Sequence, residues 1–132
     1  MPSVDTNCVL RWLLQDIAEQ TAAVERLLAE KAPLTIDDGA LLETVFALEH
    51  HYRFSRSTVA AALRQVLSEG RFVLDRAAWS ALLPDYERRP KLSIMDVYLA
   101  HRARKSGRTP LYTFDKKMAA QLPEAELVAI RE

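Results

Sequence analysis

Pro110-Leu111-Tyr112-Thr113-Phe114-Asp115 reads as a strand that runs directly into an acid, and the acid opens a short helix. Aromatic and β-branched side chains favour the extended backbone, and a following Asp is a strong helix N-cap. The same grammar recurs outward from this stretch. Ser93 opens the preceding helix, with Val97 and Ala100 in its body and Gly107 as its C-cap. Arg102, Arg104 and Lys105 lie there in the last turn, where the helix dipole favours cations. Phe72-Val73-Leu74 is a strand, and Asp75 caps a helix through Trp79, Leu82 and Leu83 that Pro84 should end or kink. Ser55 caps a helix carried by Val59, Leu63, Val66 and Leu67 and stopped by Gly70. Leu41, Val45, Leu48 and Tyr52 mark another amphipathic helix. Before it, Pro33-Leu34-Thr35-Ile36 is a strand ended by Asp37-Asp38-Gly39. Asp16 and Glu19 read as an N-cap with its N3 acid, opening a helix to about Lys31. Ser3-Val4 is a short strand running into Asp5-Thr6-Asn7, after which Val9, Leu10, Leu13 and Leu14 recur at helical spacing. Leu127 to Ile130 closes the chain as a last strand. Strands alternating with helices predict one α/β domain over residues 1–132, with a mostly parallel sheet covered on both faces.

Composition narrows the function. The chain has 132 residues, is 49% hydrophobic, and carries 18 Lys plus Arg against 18 Asp plus Glu. It can bury a core, and it has no global basic field to attract nucleic acid, so any RNA contact must be local or metal-borne. Cys8 is the single cysteine, which excludes an internal disulfide and a Cys-rich zinc site. Without a neighbouring base it reads as a small buried residue of the first helix. The N-terminus lacks a basic stretch followed by an apolar run, and no apolar segment approaches the roughly 20 residues of a membrane span. These features point to a cytoplasmic protein. Glycines occur only at 39, 70 and 107, so no glycine-rich phosphate loop exists. A phosphatase of the haloacid-dehalogenase kind would need a second Asp where Asn7 stands.

Two acids stand by sequence order where an open parallel sheet places its chemistry, just beyond the carboxyl ends of strands, and two more lie on helices that could bring them to the same edge. Asp5 follows the first strand and Asp115 follows Leu111–Phe114; Glu43 and Asp96 lie on helices that come after strands. Each has a structural reading as well. Asp5 and Asp115 serve as N-caps, Asp96 three residues after Ser93 completes a capping box, and Glu43 is a solvated surface acid. Glu43 has no cation one helical turn away, whereas Glu49 has Arg53. His50 and His51 form no zinc motif and read as surface residues.

Taken in order, Val4-Asp5-Thr6-Asn7, Leu42-Glu43-Thr44-Val45, Ile94-Met95-Asp96 and Tyr112-Thr113-Phe114-Asp115 resemble the PIN-domain family, and most closely its VapC-like toxins. The resemblance spans nearly the whole chain. It implies a three-layer α/β/α domain with a central, mostly parallel sheet. It further implies a metal-dependent ribonuclease in which Asp5, Glu43, Asp96 and Asp115 bind Mg²⁺ or Mn²⁺, with Asn7 and Thr113 orienting carboxylates and water. Tyr98 and Leu99 are bulkier than many relatives carry there, and no further acid stands beside Asp96. Such a cation lowers the pKa of a bound water and neutralises charge on the reacting phosphate. Arg102, Arg104, Lys105, Arg108, Lys116 and Lys117 cluster around the third and fourth acids and could contact RNA phosphates. A VapC-like toxin would be neutralised by a cognate antitoxin, through a segment packed in a groove over the acids. The apolar faces Leu41-Val45-Leu48 and Val59-Leu63-Val66 further suggest a homodimer, if they exceed what the domain buries. The alternative is a non-catalytic PIN-like module that binds RNA or protein without cutting.

Overall fold

The computed structural model describes residues 1–131 and divides them into two compact units, Met1–Ala77 and a second beginning at Ala78. The first unit contains α1 (Thr6–Leu14), α2 (Ala18–Lys31), β1 (Leu34–Thr35), α3 (Asp38–His50), α4 (Arg56–Ser68) and β2 (Phe72–Val73). β1 and β2 pair in parallel, with Leu34 opposite Phe72 and Thr35 opposite Val73. On the other side of β1, Ser3 makes a single parallel bridge to Thr35. The Val4 N–H donates to the Thr35 carbonyl at 2.9 Å, and Thr35 N–H to Pro2 at 2.8 Å. The expected first strand is reduced to this bridge because Asp5 already caps α1, leaving no residues for a longer ladder.

The core of this unit is the set of apolar positions at helical spacing. Val9, Leu41, Val45, Leu48, Val59, Leu63, Val66 and Phe72 are all fully buried, and Leu28 is 1% exposed. The apolar rows Leu41-Val45-Leu48 of α3 and Val59-Leu63-Val66 of α4 are therefore covered within the chain and offer no surface to a second copy. α2 corrects another expectation. Its N-cap is Ile17, with no side-chain cap bond. Asp16 is drawn away by Arg11, whose guanidinium meets it at 3.1 Å, after Gln15 has turned the chain in a left-handed conformation. Ser55 does cap α4, accepting from Thr58 N–H. Beyond that helix, the Arg76 guanidinium donates to the carbonyls of Leu67, Glu69 and Phe72 at 2.6–2.8 Å, fixing the turn into β2.

The helix α5 (Arg76–Arg88) begins at the end of the first unit and continues in the second, which also holds α6 (Ile94–Lys105), β3 (Leu111–Thr113), α7 (Lys116–Gln121) and β4 (Ala125–Leu127). Pro84 lies inside α5 and does not end it. The carbonyl that loses its partner is that of Ser80, which is exposed to water, while Trp79, Leu82, Leu83 and Tyr86 hold the helix through its buried face. His101 of α6 reaches Asp85 of α5 at 2.8 Å, with Arg89 behind it at 3.4 Å. Burial raises the Asp85 carboxyl, but the hydrogen bond and charge of His101, and then Arg89, outweigh it and leave it below the usual carboxylate range.

β3 and β4 pair in parallel, with Leu111, Tyr112 and Thr113 opposite Ala125, Glu126 and Leu127. The last strand thus begins two residues before the expected Leu127 and ends there. The ladder stops where β3 gives way to the helix capped by Asp115, so the Val128 N–H makes the final bond, to Thr113, at 2.9 Å. Helix α6 ends at Lys105 with Ser106 as its C-cap, and Gly107 follows at φ +69°, the left-handed turn that a residue without Cβ adopts freely. The result is an α/β chain with seven helices among the described residues and short parallel strands, one pair in each unit.

Candidate metal centre

In the first unit, parallel strands bring their following residues to one edge. Asp5 comes directly after the Ser3–Val4 bridge and caps α1, its Oδ1 accepting from the Cys8 N–H at 3.1 Å. The next residue ties this helix to α3: the Thr6 hydroxyl lies 3.4 Å from Glu43 Oε2 and 3.3 Å from the Ala40 carbonyl. Asp5 and Glu43, 38 positions apart in the sequence, therefore line one groove of about 980 Å³. Asn7 lines the same groove, whose apolar wall includes Leu10 and Phe46. Phe46 is 62% exposed and packs against His50, with ring centroids 4.3 Å apart.

A third acid of this groove escaped the sequence reading. Asp37 occupies the N-cap position of α3, yet its side chain makes no cap bond, and it faces the groove. Read as a strand terminator, it stands directly after Ile36, the placement that singled out Asp5 and Asp115. Cys8 also lines the groove. Burial, and then the hydrogen bond to the Asp5 carboxylate, push its thiol above the usual range.

In the second unit, both acids carry the structural roles that the sequence allowed. Asp96 completes a capping box: Ser93 Oγ accepts from the Asp96 N–H, and Asp96 Oδ2 accepts from the Ser93 N–H, each at 3.1 Å. Asp115 caps α7, its Oδ1 accepting from Lys117 N–H at 2.9 Å and Met118 N–H at 3.2 Å. Thr113 holds the backbone of that turn, its hydroxyl accepting from the Asp115 N–H at 3.0 Å, and makes no bond to the carboxylate. In both Asp96 and Asp115 one carboxylate oxygen fixes a helix end. The other makes no hydrogen bond or ion pair among the described residues.

These donors suit a hard cation. They are carboxylate oxygens held by backbone amides or, for Glu43, near a hydroxyl, and Mg²⁺ or Mn²⁺ takes such ligands together with water. Among the described residues, no group of three or more His, Cys, Asp or Glu side chains lies close enough to hold a metal by itself. Asp5, Asp37 and Glu43 share a groove without forming such a group.

The neutral total charge hides a polarity. Met1–Ala77 holds eleven Asp and Glu against eight Lys and Arg, a net of −3, and the remaining residues hold seven against ten, a net of +3. Between positions 102 and 117 there are six cations and one acid, Asp115. Arg108, Lys116 and Lys117 are exposed. Arg104 reaches toward the buried Glu124 at 3.8 Å.

A family model for the PIN domain matches residues 3–121, and the chain belongs to the PIN-domain family. PIN domains are typically metal-dependent nucleases that bind RNA. No curated protein and no solved structure matches the chain. Among the described residues no helix is long and apolar enough to cross a membrane.

Proposed function

We propose that this chain is a Mg²⁺- or Mn²⁺-dependent ribonuclease of the VapC-like kind, with Asp5, Glu43, Asp96 and Asp115 as the metal-binding acids. The observation that carries the reading is the Asp5–Thr6–Glu43 arrangement, in which two acids far apart in sequence line one groove beyond the parallel strands. The unshared carboxylate oxygens of Asp96 and Asp115 add to it. A cation held by these acids supplies an activated water and neutralises charge on the scissile phosphate. The chain's own contribution is orientation. Asp5, Asp96 and Asp115 are fixed by backbone amides, and the Thr6 hydroxyl stands within reach of Glu43. Arg102, Arg104, Lys105, Arg108, Lys116 and Lys117 hold the RNA backbone in this reading, with Arg104 weakened by Glu124. Neutralisation by a cognate antitoxin rests on the VapC-like resemblance; a homodimer and a place in the cytoplasm are carried over as expectations of the sequence. The buried faces of α3 and α4 lend the dimer no support.

The test is cleavage of RNA by the purified chain with Mn²⁺ or Mg²⁺, and its loss on chelation. Asp5→Asn and Asp96→Asn keep side-chain shape and one acceptor, so both are expected to fold and to lose cleavage. Metal-independent cleavage, or wild-type turnover in either variant, refutes the assignment. RNA binding without any cleavage by the wild type favours a non-catalytic module instead.

A further inference from the structure

Tyr112 of β3 and Phe114, in the bend just after it, leave two aromatic rings in solvent. Tyr112 is 62% exposed and Phe114 67%, while Leu111 and Thr113 between and beside them are half-buried. The alternation of exposed and half-buried residues leaves both rings on the solvent face where β3 runs into the turn before α7. Among the described residues neither ring stacks on another. A partner that covers such a pair gains the apolar area that folding leaves in water.

Charge identifies the partner. α6 and α7 both pack against β3. One ends in Arg102, Arg104 and Lys105, and the other opens on Lys116 and Lys117. Arg108 lies in the connection between α6 and β3. Arg108, Lys116 and Lys117 have no hydrogen-bonded or ionic side-chain partner among the described residues. An occupant that offers flat apolar faces to two rings and many negative charges to the cations beside them is a nucleic-acid strand with unstacked bases. A duplex hides its base faces and meets only half of this description. Glu126, directly opposite Tyr112 in the ladder, is the acid on that face. It repels phosphate but accepts from an exocyclic amino group or a 2′-hydroxyl, which favours a base or ribose over it.

We propose that Tyr112 and Phe114 stack on bases of single-stranded RNA whose phosphates meet Arg108, Lys116 and Lys117. The choice of RNA rests on the ribonuclease reading; the preference for a single strand rests on the rings and charges alone. The experiment measures fluorescence anisotropy of a short labelled single-stranded oligoribonucleotide, and of its duplex, with the full chain in chelator, where no metal-dependent cutting interferes. Wild type should prefer the single strand. Tyr112→Ala or Phe114→Ala should each weaken its binding by roughly 5- to 100-fold, the range for loss of one stacked base. The salt dependence should stay unchanged. Tyr112→Phe and Phe114→Tyr should restore binding, and Lys116→Gln and Lys117→Gln should each flatten the slope of log K against log salt by about 0.7. Equal affinity for the duplex, or wild-type affinity in the double alanine variant, overturns the proposal. So does a self-association that the double variant abolishes, because a second copy would then cover the rings. Adding Mn²⁺ afterwards separates this from the ribonuclease reading. Ring-dependent binding without cutting refutes that reading alone, and cutting of the same strand with no need of the rings refutes this one alone.

Discussion

Replacing Asp96 by Asn separates its work at the helix end from its work on a cation. The carboxylate is half-buried and receives one hydrogen bond, from the Ser93 N–H at 3.1 Å. An amide oxygen can take that bond, so what the fold loses is the negative charge at the N-terminus of α6, worth about 0.3–1 kcal/mol. Unfolding entropy of about 2.1 cal/mol/K per residue makes 1 kcal/mol about 3–4 °C for a chain of this length. In chelator the variant should therefore melt about 1–4 °C below wild type. A cation that binds only the native state adds about 2.7 kcal/mol at a hundredfold excess over its dissociation constant, or about 10 °C. The metal effect exceeds the cap effect, so the two can be read apart. The assay is thermal unfolding of both proteins across a Mn²⁺ titration, with chelator as the zero point. Wild type should rise by about 10 °C and Asp96→Asn by a small fraction of that. An equal rise in the variant refutes a metal role for Asp96, and no rise in wild type at saturating metal refutes the shared cation altogether.

Three further outcomes follow from particular contacts. Asp115→Asn should keep α7 capped and Asp115→Ala should cost about 1 kcal/mol, as read by urea midpoints. Both should abolish cleavage, and an active Asn variant would reduce Asp115 to a cap. Leu63, fully buried on α4, should cost about 2–5 kcal/mol as Leu63→Ala, and a smaller loss would mean that its surroundings collapse onto the cavity. For Asp85 the folded carboxyl lies below its usual range, so its stabilisation is complete above the unfolded value of about 3.9 and fades as pH falls through the folded one. Asp85→Asn should accordingly cost about 1 kcal/mol at pH 6 and progressively less as pH falls below about 4. A difference independent of pH in urea unfolding would show that packing, and not the His101 pair, is responsible.

Much of this fold could be read from local signals because those signals were strong. Ser55, Ser93, Asp5 and Asp115 all cap the helices assigned to them, and the apolar rows of α3 and α4 are buried as their spacing requires. The misreadings came where a distant or competing partner decided the outcome. Arg11 took Asp16 from its expected cap. The buried face of α5 carried the helix through Pro84. Pairing with β3 set the bounds of β4, which its own apolar run Leu127–Ile130 did not predict. In the candidate site, Asp5 and Glu43 were legible as residues, but the Thr6 hydroxyl beside Glu43 was not, since nothing local marks a contact across 37 positions. Asp37 carries a usable signal, its place after a strand, but Asp-Asp-Gly reads equally as a turn.

The backbone anchoring of three of these acids shapes how the protein can change over generations. At positions 5, 96 and 115 the helices ask only for a short side chain with an acceptor atom. At the two N-caps, positions 5 and 115, Ser, Thr and Asn meet that demand nearly as well as Asp, within about 1 kcal/mol, and at position 96 Asn keeps an acceptor for the Ser93 N–H. A lineage released from the need to cut RNA can therefore lose its carboxylates one at a time along an almost level stability path, keeping every helix while the chemistry disappears. Its inactive descendants would still show capping residues at these three sites and could pass for enzymes on the strength of their folds. Glu43 secures no helix end, so its position would accept almost any residue, and it is there that such a descendant would betray itself first.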